Sequence, residues 1–186
     1  MRIISGKFKG KKLILPDKST TRPLKDMVKE SIFNLIVHSN KINIDIENST
    51  ILDLFSGSGS FGLECISRGA KKVIFLEKNF ETFNILIKNI QSFKNIDNYK
   101  IFNEDCFNYL KFKNNENRKF DIIFIDPPYK EIRINELIDN IFEKKLLKPH
   151  GIMIIHRNKK DMIKLTQKLN IFENRIYGIS KIVFGN

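Results

Sequence analysis

Cysteine, long apolar runs and acidic residues are all scarce in this sequence of 186 residues, and each shortage excludes something. The two cysteines, Cys65 and Cys106, form neither a metal-binding spacing nor a redox pair. No apolar run approaches the length of a membrane span, and Met1 leads into a glycine and a lysine cluster instead of a signal peptide. We therefore expect a soluble, cytoplasmic protein of ordinary domain size, with no metal, no membrane contact and no obligate partner subunit, hence a monomer.

The shortage of acids leaves the chain strongly basic, because 33 Lys and Arg face only 21 Asp and Glu, a net charge of +12. Half of this excess lies in the first thirty residues, where nine basic and three acidic side chains leave +6. A bias of the whole chain towards Lys, Asn, Ile and Phe explains the total charge, but it explains the clustering less well. A clustered basic patch is typical of proteins that bind a phosphate backbone. The predicted RNA-binding residues are Arg2, Lys7, Lys9, Lys11, Lys12, Arg22, Lys25 and Lys29.

The order of the predicted elements indicates an α/β fold with a doubly wound, mostly parallel, Rossmann-like sheet. Residues 1–40 are predicted to form a basic hairpin (1–15) and a helix (24–37), and residues 41–186 the main domain. The main domain has predicted strands at 51–55, 72–76, 99–103, 121–125 and 151–155, and predicted helices at 60–68, 80–93, 105–111, 131–145 and 159–169. Two last β segments, 171–177 and 179–184, predict an antiparallel edge.

The motif Asp126-Pro127-Pro128-Tyr129 follows the apolar run 122–125, which is typical of a buried strand. It therefore lies where open α/β sheets bind their ligands. Pro128 cannot donate a hydrogen bond, so the Asp126 carboxylate and the Pro127 carbonyl are fixed acceptors, and Tyr129 adds a flat stacking face. This combination suits the exocyclic amino group of a nucleobase. A plain turn in which Asp126 caps the next helix is the alternative.

A glycine-rich turn follows the first predicted strand of the main domain. Gly57, Gly59 and Gly62 fit the pattern G-x-G-x-x-G, and Glu77 lies 20 residues after Gly57. Glycines let a ligand approach the backbone beside a helix N-terminus, and the carboxylate of Glu77 suits ribose hydroxyls. A dinucleotide site has the same pattern, so the glycines do not choose the cofactor.

Two further acids favour S-adenosylmethionine over a dinucleotide. Asp53 would place a negative charge in the site, which suits the cationic amino acid end of this cofactor better than a pyrophosphate. Asp105 follows the third strand, where it could accept a hydrogen bond from an adenine amino group, cap the next helix, or both. The predicted cofactor-binding residues are Asp53, Phe55, Ser56, Gly57, Gly59, Glu77, Asp105 and Cys106.

These residues, in this order, resemble the class I S-adenosylmethionine-dependent methyltransferases. Over nearly the whole chain the sequence also resembles one family, the RsmD family of 16S ribosomal RNA guanine-N2 methyltransferases. The segments that carry this resemblance are Arg2–Gly6, Gly10–Leu13, Arg22-Pro23, Lys29–Asn34, Asp53–Gly59, Leu63-Glu64 and Ser67–Ala70. Leu24 and the segment Ile155-His156-Arg157 depart from the family pattern, which leaves the RNA contacts and the rim of the site open.

The resemblance implies transfer of a methyl group from S-adenosylmethionine to N2 of a guanine, with S-adenosylhomocysteine as the product. The substrate would be 16S ribosomal RNA, within a small ribosomal subunit or an assembly intermediate. The predicted catalytic residues are Asp126, Pro127, Pro128 and Tyr129. Three alternatives stay open: methylation of adenine N6 in DNA or RNA, a non-catalytic RNA-binding assembly factor, and an NAD-dependent oxidoreductase.

Overall fold

The computed structural model of the protein describes residues 1–16, 24–112 and 119–186, which form five helices and seven strands. The helices are α1 (Asp26–His38), α2 (Ser60–Ser67), α3 (Phe80–Gln91), α4 (Cys106–Phe112) and α5 (Ile134–Glu143). The strands are β1 (Thr50–Asp53), β2 (Lys72–Leu76), β3 (Tyr99–Phe102), β4 (Phe120–Ile125), β5 (Leu147–Asn158), β6 (Ile171–Tyr177) and β7 (Ser180–Gly185).

The strands form one sheet in the order β3-β2-β1-β4-β5-β7-β6. Strands β1 to β5 run parallel to one another, and β7 runs antiparallel to both of its neighbours, β5 and β6. The order reverses direction between β1 and β4, which is where open α/β sheets bind ligands. The predicted mostly parallel sheet with an antiparallel edge is therefore confirmed.

Helices cover both faces of the sheet, because alternate strand residues point to opposite sides. Helices α1, α2 and α3 pack on one face against side chains such as Phe124. Helices α4 and α5 pack on the other face against side chains such as Leu52 and Ile123. The rings of Phe33, Phe61 and Phe124 stack in sequence, with centroids 5.2 and 3.9 Å apart. This stack fixes α1 and α2 to β4 beneath the site.

The N-terminal segment forms a small hairpin, as predicted, with an isolated antiparallel bridge between Arg2 and Lys12. Gly6 adopts a φ of +81° and lies so close to α2 that an added Cβ would be 1.9 Å from the carbonyl oxygen of Ser67. The hairpin and α1 share one apolar core with the sheet. The division of the chain at residue 40 stays a prediction.

The predicted helix over residues 159–169 is wrong, since these residues form turns and irregular backbone. Two side chains bind the local backbone instead: Asn158 accepts from the Lys160 N–H at 3.0 Å, and Asp161 from the Ile163 N–H at 2.9 Å. Such bonds compete with helical ones. Strand β5, predicted to end at residue 155, consequently runs to Asn158.

Candidate active site

A cavity of about 420 Å³ lies at the carboxyl ends of β1, β2 and β4. This volume is within the range of small-molecule sites, about 300–1,000 Å³. Most of the residues predicted for the cofactor and for catalysis line it, namely Asp53, Phe55, Ser56, Gly57, Glu77, Cys106, Asp126, Pro127, Pro128 and Tyr129. The predicted residues Gly59 and Asp105 are not part of its lining.

Strand register explains why three polar side chains meet in this cavity. Asp53 pairs with Phe124 across β1 and β4, and Asp126 follows Phe124 by two residues, so it points to the same face. Ile125 pairs with Ile155 across β4 and β5, which puts His156 beside Asp126. Asp53, Asp126 and His156 therefore line one face of the sheet at neighbouring strand ends.

The glycine turn between β1 and α2 is fixed by Glu77. The Gly57 N–H donates to Glu77 Oε2 at 2.9 Å, and the Asn79 N–H donates to Oε1 at 2.8 Å. Gly57 and Gly59 have φ of +55° and +82°, in the left-handed region that favours glycine. Burial raises the pKa of Glu77, while these backbone N–H groups lower it. The predicted role of Glu77 in ribose binding stays a prediction, beside its structural role here.

Asp53 is a buried acid in the wall of this cavity. It is 1% exposed, and neither carboxylate oxygen has a hydrogen-bond partner among the described residues. Burial first, and then the charge of Asp126, raise the pKa of Asp53 to about 8, although the nearby backbone N–H groups of Gly62 and Phe55 oppose this shift. A cationic group in the cavity would pair with this carboxylate and favour its ionised form. The wall at Asp53 therefore suits a ligand that carries a positive charge.

Three other predicted cofactor residues have structural roles. Ser56 Oγ donates to the carbonyl of Asp53 at 3.0 Å and accepts from the Leu76 N–H at 3.1 Å, which ties β1 to β2. The Asp105 carboxylate accepts from the Phe107 N–H at 2.9 Å, so the predicted cap is present. It also pairs with Lys78 at 3.3 Å. Burial raises the pKa of the Cys106 thiol, which is therefore neutral.

The motif at residues 126–129 is fastened by two residues of β5. His156 Nδ1 lies 2.8 Å from Asp126 Oδ1. The Arg157 guanidinium, which forms an ion pair with Asp161, donates to the carbonyls of Pro128 at 3.3 Å and Tyr129 at 3.4 Å. Sequence reasoning missed both roles. The available signal was their position directly after the apolar run 152–155, which puts His156 and Arg157 at the carboxyl end of a predicted strand, as Asp126 is at the end of β4.

Most of the predicted RNA-binding side chains are exposed: Arg2, Lys7, Lys9, Lys12 and Lys25. Lys11 is half-buried, donates to the carbonyl of Ser92 and lies 4.9 Å from the centroid of the Phe93 ring. Arg22 lies outside the described residues. The exposed cations lie on the hairpin and just before α1.

The prediction that Lys29 contacts RNA is wrong. Its side chain is fully buried, and Nζ lies 3.6 Å from Glu64 Oε2. Nζ also donates to the carbonyl of Arg2 at 2.7 Å and to Ser60 Oγ at 3.2 Å. Burial lowers the pKa of Lys29, and the charge of Glu64 opposes this shift. Lys29 holds α1, α2 and the hairpin together, so it is unavailable to a phosphate.

Within residues 1–16, 24–112 and 119–186 no helix is long and apolar enough to cross a membrane. These residues also contain no group of three or more His, Cys, Asp or Glu side chains placed to hold a metal ion.

The sheet order, the glycine turn after β1 and the acidic motif after β4 define the class of the protein as a class I methyltransferase. The family model described as "conserved hypothetical protein 95" matches residues 1–186. The chain belongs to this family, the RsmD family.

Relatives and a solved structure agree with this assignment. A Haemophilus influenzae protein named ribosomal RNA small subunit methyltransferase D is 33% identical over 96% of this chain and 90% of its own length. A Buchnera aphidicola protein of the same name is 34% identical, over 94% and 86% of the two chains. A solved structure from Haemophilus influenzae has 31% identity and a TM-score of 0.78, and the match covers 99% of this chain and 96% of that one.

Proposed function

We propose that this protein transfers a methyl group from S-adenosylmethionine to the exocyclic N2 of a guanine in small-subunit (16S) ribosomal RNA. The observation that carries the proposal is the shared cavity of Asp53 and Asp126. One is a buried acid whose carboxylate has no hydrogen-bond partner among residues 1–16, 24–112 and 119–186, which suits a cationic cofactor, and the other belongs to a motif that suits an amino group. The names of the relatives favour ribosomal RNA as the substrate.

The cofactor side of the cavity would use the ends of β1, β2 and β3. S-adenosylmethionine, when bound, supplies an activated methyl group. Asp53 would pair with its ammonium group, since the carboxylate has no other partner among the described residues. Glu77 keeps free lone pairs beside its two backbone bonds and would accept from the ribose. Glu104 and Cys106 line the cavity next to Asp105 and would lie around the adenine.

The substrate side would use the motif after β4. An exocyclic amino group is a poor nucleophile because its lone pair is shared with the ring. Hydrogen bonds from its two N–H groups to the Asp126 carboxylate and the Pro127 carbonyl would orient the nitrogen and weaken this conjugation. As the N–CH₃ bond forms, the S–CH₃ bond would break with its electron pair left on sulfur, and positive charge would develop on the nitrogen, which would then release one proton to water. The negative charge of Asp126 would stabilise this positive charge in the transition state.

The RNA would lie against the exposed hairpin lysines and Lys25. The target base would leave its stack and place its face on Tyr129, whose side chain is at the mouth of the cavity. A small ribosomal subunit or an assembly intermediate is the proposed physiological substrate, which implies a cytoplasmic protein. We propose that it acts as a monomer.

The test is transfer of labelled methyl groups from S-adenosylmethionine to small ribosomal subunits that lack the modification. We expect Asp126→Ala to lower kcat/KM by about 10²–10³-fold, the magnitude typical of a lost transition-state contact. Asp97→Ala, which removes an exposed acid remote in sequence from the motif, is the matched control and should leave the rate unchanged. Equal activity of wild type and Asp126→Ala would contradict the proposal.

A further inference from the structure

His156 is a second polar side chain on the substrate side of the cavity. It is only 3% exposed, lies in β5 and lines the same cavity as Asp126. Its Nδ1 atom is 2.8 Å from Asp126 Oδ1. Its other ring nitrogen, Nε2, is buried and has no hydrogen-bond partner among the described residues. A buried polar atom without a partner is costly, so Nε2 calls for a ligand.

The partner of Nδ1 decides what Nε2 offers. An ionised carboxylate only accepts hydrogen bonds, so Nδ1 must carry the proton that it shares with Asp126. In a neutral imidazole the second nitrogen then has no hydrogen and presents a lone pair. In the neutral ring Nε2 is therefore an acceptor, on a side chain that lines the same cavity as Asp126 and Pro127.

The three amino-bearing bases differ beside the amino group. In guanine, N2 adjoins the ring N1–H, which is a donor. In adenine and in cytosine, the ring nitrogen next to the amino group is an acceptor. Acceptors for both the amino group and the adjoining ring nitrogen therefore complement guanine alone, because with the other two bases the lone pair of Nε2 would face another lone pair.

We propose that His156 Nε2 accepts a hydrogen bond from the N1–H of the target guanine and so selects guanine among the amino-bearing bases. This inference rests on the proposed function. His156 thereby becomes a substrate-contacting residue, in addition to holding Asp126. The motif at 126–129 recognises an amino group, and His156 identifies the base that carries it. This division of labour addresses the choice between guanine N2 and adenine N6, which the motif alone leaves open.

The test exchanges the target guanine, located by mapping the product, for 2,6-diaminopurine or 2-aminopurine. Both analogues keep the 2-amino group, and both lack the N1 hydrogen. For the wild type we expect kcat/KM to fall on the order of 100-fold with either analogue, because a buried acceptor loses its donor. A preference for guanine below about 3-fold, roughly 0.6 kcal/mol, would overturn the proposal.

Two amide variants separate base contact from support of Asp126. In His156→Asn the amide reaches the position of Nδ1 and keeps the bond to Asp126, but no atom occupies the position of Nε2. In His156→Gln the amide reaches the position of Nε2, and it can either accept or donate there. We expect His156→Asn to lose on the order of 100-fold with guanine and to keep little preference over the analogues. His156→Gln loses the bond to Asp126, so we expect a lower rate with all three bases, but with little preference for guanine over the analogues because its amide can accept or donate at the position of Nε2.

A residue that only holds Asp126 would give the opposite pattern. His156→Asn would then keep both rate and preference, while His156→Gln would lose rate with its preference intact, and that result would overturn the proposal. Thermal unfolding and binding of S-adenosylhomocysteine verify that each variant is folded. Failure of the wild type to methylate guanine N2 at all would contradict the proposed function, whereas equal methylation of guanine and both analogues would contradict only the role of His156.

Discussion

Replacing Lys29 by methionine should destabilise the protein without changing its RNA contacts. Methionine has a similar length but cannot donate to the Arg2 carbonyl and Ser60 Oγ or pair with Glu64. Breaking a buried ion pair costs about 3–5 kcal/mol when the remaining charge is left alone. Glu64 is not left alone, because Arg68 lies 2.9 Å from it and the Ile4 and Ser5 N–H groups donate to it at 2.7 and 2.9 Å.

We therefore expect Lys29→Met to lower the free energy of unfolding by less, about 2–3 kcal/mol. Most of this loss comes from the unpaired carbonyl of Arg2 and the lost attraction to Glu64. For a chain of this size that loss corresponds to a Tm lower by about 4–12 °C. The assay is thermal unfolding of Lys29→Met beside Lys25→Met. Lys25 is exposed and precedes α1, so its replacement should change stability by less than about 0.5 kcal/mol.

Binding of RNA over a range of salt concentrations completes the comparison. Each lost phosphate contact should make the plot of log K for RNA binding against log salt concentration less steep by about one unit of slope. We expect this change for Lys25→Met but not for Lys29→Met. A Tm for Lys29→Met within about 2 °C of the wild type, with a reduced salt slope, would refute the structural role of Lys29.

Three other changes have defined outcomes. Asp53 keeps its proton up to about pH 8 in the folded protein but loses it near about pH 4 when unfolded, so the free energy of unfolding should fall as pH rises between these values. In urea titrations without cofactor, Asp53→Asn should remove this pH dependence, and it should also weaken the stabilisation by S-adenosylhomocysteine. An unchanged pH dependence would contradict this assignment. Arg157→Lys loses the two guanidinium hydrogen bonds to the carbonyls of Pro128 and Tyr129. It should lower kcat/KM about tenfold without changing S-adenosylhomocysteine binding, whereas full activity would show that these bonds do not position the motif. Gly62→Ala places a Cβ 2.2 Å from the Phe75 ring and should cost about 1–3 kcal/mol in urea unfolding, whereas no loss would show that the ring moves freely.

Local patterns were sufficient to predict most of the sheet and the lining of the cavity. Continuous apolar runs predicted β1 and β4, and a carboxylate or glycine directly after such a run must lie at the carboxyl edge of a parallel sheet. That reasoning brought Gly57 and Asp126 together before any register was known. It did not need to know which strands are neighbours, because all parallel strands end at the same edge.

Features that depend on pairing across the chain were not predictable in this way. The contact of His156 with Asp126 requires the order and register of β4 and β5. The burial of Lys29 requires α1 to pack on α2, and within the sequence it is one lysine of a basic cluster. The false helix at 159–169 arose because helical spacing cannot reveal that Asp161 binds Arg157 and the local backbone.

The identity of the product nucleoside decides whether this protein is a guanine-N2 methyltransferase. Wild-type protein would methylate unmodified small ribosomal subunits with labelled S-adenosylmethionine, and the RNA would be digested and analysed by mass spectrometry. We expect N2-methylguanosine as the labelled nucleoside with the wild type, and none with Asp126→Ala. Labelled N6-methyladenosine, or no product on subunits, naked RNA or DNA despite cofactor binding, would contradict this expectation.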